Sequence, residues 1–75
     1  MPPFRFAVDY LRKNPPTKAL LSEYSTTNIQ ESFAEAFAQM MNTKPASWNK
    51  WVRGFADEVG KGYDELGMNL KDVLL

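Results

Sequence analysis

Two proline stops decide what this chain can become. Asn14-Pro15-Pro16 and Lys44-Pro45 interrupt it, and a residue before proline is pushed out of the helical region, so no helix can run through either point. The 75 residues are thereby cut into short pieces. Each piece carries apolar residues at helical rather than alternating spacing, which predicts an all-α fold, a small bundle of three to five short helices in one domain over residues 1–75.

The first piece opens on Pro2 and Pro3, which suit a first helical turn. Phe4, Ala7, Val8 and Leu11 then recur on one face, predicting a helix over about 3–13. Thr17 to Leu21 suggests a short helical turn, followed by the polar loop Ser22-Glu23-Tyr24-Ser25-Thr26-Thr27, where a specific site is expected. Asn28, with Glu31 three residues on, has the spacing of a capping box. The helix it opens shows Ile29, Phe33, Phe37, Met40 and Met41, with Ala34, Ala36 and Ala38 alongside. That stripe reads as core, or alternatively as a binding groove.

After Pro45 a third helix is expected over about 46–59, its face written by Trp48, Trp51, Val52, Phe55, Ala56 and Val59 and its end by Gly60-Lys61-Gly62. The tryptophans either anchor the core or lie partly exposed at a protein interface. Phe33, Phe37, Trp48, Val52 and Phe55 are the expected centre of the core. A turn or short helix at 63–67 and a capped last helix reaching Val73-Leu74-Leu75 complete the pattern, and that apolar end docks on the core or on something else.

Composition sets the limits on chemistry. An apolar fraction of 44%, 13% of the chain being aromatic, is enough to build a core. A domain of this size buries only about 60–65% of its unfolded surface, so marginal stability or a partner is expected. The chain has no His and no Cys, the usual zinc ligands and the commonest general base and covalent nucleophile. Carboxylates, tyrosines, hydroxyls and lysines remain. Asp64, Glu65 and Asp72 raise the question of a hard cation, but their spacing does not match an EF-hand loop and reads as a solvated face.

The net charge is zero, yet the charges come in blocks. Residues 1–18 carry +3 (Arg5, Arg12, Lys13 and Lys18 against Asp9), and residues 19–40 carry −3 (Glu23, Glu31, Glu35). Residues 41–55 carry +3 (Lys44, Lys50, Arg53), and residues 56–75 carry −3 (Lys61 and Lys71 against Asp57, Glu58, Asp64, Glu65 and Asp72). Either successive elements attract one another, or the surface is dipolar and suits a charged partner. Neither arrangement is the basic face that nucleic-acid binding needs, so no nucleic acid is expected as partner. No stretch approaches the roughly 20 apolar residues of a membrane span, and the start lacks the apolar run of a secretory signal. The expectation is a soluble or particle-bound protein with no membrane partner.

One segment carries a resemblance. Leu21-Ser22-Glu23-Tyr24-Ser25-Thr26-Thr27-Asn28-Ile29-Gln30-Glu31-Ser32-Phe33-Ala34-Glu35-Ala36-Phe37 resembles the stretch after the metal-binding helix in zincin metallopeptidases of the anthrax lethal factor type. Similar segments belong to peptidase-like domains attached to bacteriophage head proteins. The shared features are a Ser-Tyr loop, then Thr-Asn, then Glu-x-Phe-Ala-Glu-Ala-Phe. The resemblance implies that Glu31 corresponds to the third zinc ligand, that Tyr24 corresponds to the donor to the oxyanion formed on the peptide carbonyl, and that Glu35 stands behind the metal and orients a ligand. The family's His-Glu-x-x-His helix has no counterpart in a chain without histidine. The resemblance therefore implies a piece of such a domain, a split domain completed by another chain, or a remnant kept for packing.

Read without the resemblance, Glu31 is a capping residue, Glu35 a surface carboxylate and Tyr24 a loop aromatic. The functional expectation is a noncatalytic zincin-like module acting as a structural or interaction component of a larger assembly, a bacteriophage particle by resemblance. The alternative is part of a split zinc metallopeptidase whose His-Glu-x-x-His helix lies on another chain. No cofactor is expected for the chain alone, and zinc only if a partner supplies histidines. The expected contact surfaces, with a larger protein or a second copy, are the face of Tyr24, Glu31 and Glu35 and the end formed by Val73, Leu74 and Leu75.

Overall fold

The structure is a computed structural model that describes residues 4–18, 20–22, 26 and 28–74. Among the described residues three α-helices form the fold: α1 (Arg5–Lys13), α2 (Ile29–Asn42) and α3 (Lys50–Glu65). Two short 3₁₀ turns, Pro45–Ser47 and Leu70–Asp72, lie before and after α3, and there is no strand among the described residues. The expected small all-α bundle is the fold found.

Local chemistry explains the helix boundaries. In α1, Arg12 and Lys13 occupy the last turn, where cations complement the helix dipole. Asn14 closes the helix, with its backbone N–H donating to the Tyr10 carbonyl at 2.8 Å. Pro2 and Pro3, expected in its first turn, lie outside the described residues. The turn expected at 17–21 forms, because the N–H groups of Leu20 and Leu21 both donate to the Thr17 carbonyl at 2.9 Å. Asn28 caps α2 as expected: its backbone is extended and its side-chain oxygen accepts the Glu31 N–H at 2.8 Å.

The third helix departs from expectation at both ends. Residues 45–47 form a separate 3₁₀ turn, and α3 starts at Lys50, where the Asn49 side chain accepts the Val52 N–H at 2.8 Å. Gly60 and Gly62 do not stop it; the helix runs on through Tyr63 to Glu65. Each glycine costs a helix about 1 kcal/mol, but Val59 and Gly62 are buried and Tyr63 packs against the core, so burial outweighs propensity. The stop is Gly67, whose φ of +73° only glycine adopts freely. The Gly67 N–H donates to the Asp64 carbonyl at 3.0 Å and the Met68 N–H to the Tyr63 carbonyl at 2.9 Å, the pairing of a Schellman cap.

α1 and α3 pack antiparallel, pinned at both ends. At one end the Arg5 guanidinium meets the Glu65 carboxylate at 2.7 Å. At the other the Tyr10 hydroxyl donates to the Trp51 carbonyl and the Trp51 indole N–H to the Asn14 carbonyl, each at 2.8 Å. Gly54 permits this approach, since a Cβ there would stand 2.5 Å from the Tyr10 hydroxyl oxygen.

The core lies between the three helices, with Phe55, Met40 and Val59 fully buried and Ala7, Leu11, Leu21, Ala36, Val52, Ala56 and Leu70 around them. Of the expected centre, Val52 and Phe55 hold that place, while Phe33, Phe37 and Trp48 are half-buried. The stripe of α2 that faces inward is Ser32, Ala36 and Met40: Met40 is buried as expected, Ser32 and Ala36 take the place expected of Phe33 and Phe37, and Ile29 is exposed. The small residues Ser32 and Ala36 are buried there. The larger rings flank them: Phe4 lies 5.1 Å from Phe33, Phe33 lies 5.6 Å from Phe55, and Trp51 stacks on Phe55 at 5.9 Å.

Candidate functional site

The residues singled out by sequence are divided by the fold. Tyr24, the candidate oxyanion donor, lies outside the described residues, as does Leu75. Glu31 sits exposed in the first turn of α2, where its own N–H is the one that Asn28 caps. An acidic residue there also complements the positive end of the helix.

Glu35 lies one turn further along α2 and is half-buried. Its carboxylate accepts the backbone N–H of Ser22 at 2.7 Å, a charge-assisted bond. One more turn along, the Gln39 amide donates to the Leu20 carbonyl at 3.2 Å. Glu35 and Gln39 thus hold the segment at 20–22 against the side of α2, with Leu21 driven into the core at 2% exposure. The face expected to contact a partner is met at Glu35 by the chain's own segment at 20–22. Sequence reasoning missed this tie because it joins residues 13 positions apart.

The donor set does not fit the zinc ion that the resemblance implies. A zinc site draws three or four ligands from Cys, His and carboxylates, and this chain has neither His nor Cys. Among the described residues no three acidic groups converge into a cluster able to hold a metal. Asp64, Glu65 and Asp72 are exposed, and Glu65 is paired with Arg5.

At the far end of the chain, Leu70 is buried and Leu74 packs on the core, so this end docks inward in part. Val73 remains 39% exposed. The Tyr10 phenol is raised above its ordinary value by burial and then by the carboxylates of Glu58 and Asp57. Its hydroxyl serves the α1–α3 contact.

Comparison of the chain with protein-family models, curated proteins and solved structures finds no match. Among the described residues no helix is long and apolar enough to cross a membrane.

Proposed function

We propose that this chain is a noncatalytic helical module, a zincin-like remnant by resemblance, that serves as a structural or interaction component of a larger assembly such as a bacteriophage particle. The observation that carries the reading is the Glu35 to Ser22 bond: a carboxylate that the resemblance places behind a metal is committed here to holding a loop on α2. Two further facts support it. The chain lacks the imidazoles and thiolates from which a metal centre would be built, and it presents exposed apolar side chains at Ile29, Leu66, Met68 and Val73.

Calorimetric titration with zinc at neutral pH tests the noncatalytic part. The expected outcome is no stoichiometric site tighter than about micromolar, roughly −8 kcal/mol. Such a site in the chain alone would overturn the reading. Tight zinc binding that arises only with a second chain bearing His-Glu-x-x-His would replace it with a split peptidase.

A further inference from the structure

We draw no further inference here: the strongest candidate, the open cleft where the end of α1 meets the start of α3, lined by Tyr10, Trp51 and Gly54 with Lys50, Arg53 and Asp57, carries nothing, because the Tyr10 hydroxyl and the Trp51 indole N–H are spent on bonds within the fold, a carboxylate lines it beside the two cations, and nothing in the structure shows what covers it.

Discussion

Gly54 and Gly60 lie on the same helix and differ in what a methyl group would meet. At Gly54 a Cβ would fall 2.5 Å from the Tyr10 hydroxyl oxygen and 2.8 Å from its ring carbon, so Gly54→Ala must displace the ring and break its bond to the Trp51 carbonyl. Overpacking of this kind costs about 1–3 kcal/mol, more than the gain in helix propensity returns. At Gly60 the nearest atom is a Leu70 methyl at 3.8 Å, an ordinary contact. Gly60→Ala should therefore stabilise the chain by about 0.5–1 kcal/mol, and urea denaturation of the two variants should show opposite signs. Tyr10 adds a pH dependence. Its phenol is raised from 10.0 in the folded chain, so its contribution is whole below that value and is lost as the pH climbs from there through the raised one. Tyr10→Phe should cost about 0.5–1.5 kcal/mol at neutral pH through the lost hydrogen bond, yet fall less steeply than the parent in alkali. Denaturation at neutral pH and above pH 10 checks both parts.

Among the elements, the capped start of α2 and the proline-marked ends of α1 and α2 were legible in the sequence, whereas neither end of α3 was. Asn28 and Asn49 cap α2 and α3 through bonds that span three residues. Such chemistry is written locally, and Asn28 could be read directly. Asn28→Ala and Asn49→Ala should each cost about 1 kcal/mol in chemical denaturation. The end of α3 was hidden because three glycines follow within eight residues of Val59, and what separates Gly67 from the others is a positive φ that no residue letter records. The inward stripe of α2 was displaced for a related reason. Hydrophobicity pointed to Phe33 and Phe37, whereas the close packing of three helices favours Ser32 and Ala36, small residues that a hydrophobic pattern undervalues. The consequence is an order of sensitivity. Phe55→Ala, at a fully buried ring touched by Tyr10, Phe33 and Trp51, should cost about 3–5 kcal/mol. Phe37→Ala, at a half-buried ring on the flank, should cost clearly less, and equal losses would mean that the flanking rings belong to the core after all.

For the molecule as a whole, one ion pair among the described residues joins two charge blocks: the antiparallel packing of α1 on α3 brings the first block to the last at Arg5 and Glu65, rather than pairing successive elements. Being exposed, that pair holds the geometry more than it stabilises the chain. The candidate site was legible only as residue types. That Glu31 and Glu35 share a helix followed from their spacing, but that Glu35 would hold the 20–22 segment depends on where the chain folds back, which no local pattern reports. On the function proposed above, these helices form a self-contained module around Phe55 rather than half of a domain waiting for its metal helix. Urea unfolding of the chain alone, followed at once by the fluorescence of Trp48 and Trp51 and by far-UV circular dichroism, tests it most directly. A self-contained module should show one cooperative transition, coincident by both probes, with a slope of about 1 kcal/mol per molar urea and a stability of about 5 kcal/mol. A gradual loss of helix, or fluorescence that changes apart from the helical signal, would contradict it and show a chain that folds only when another completes it.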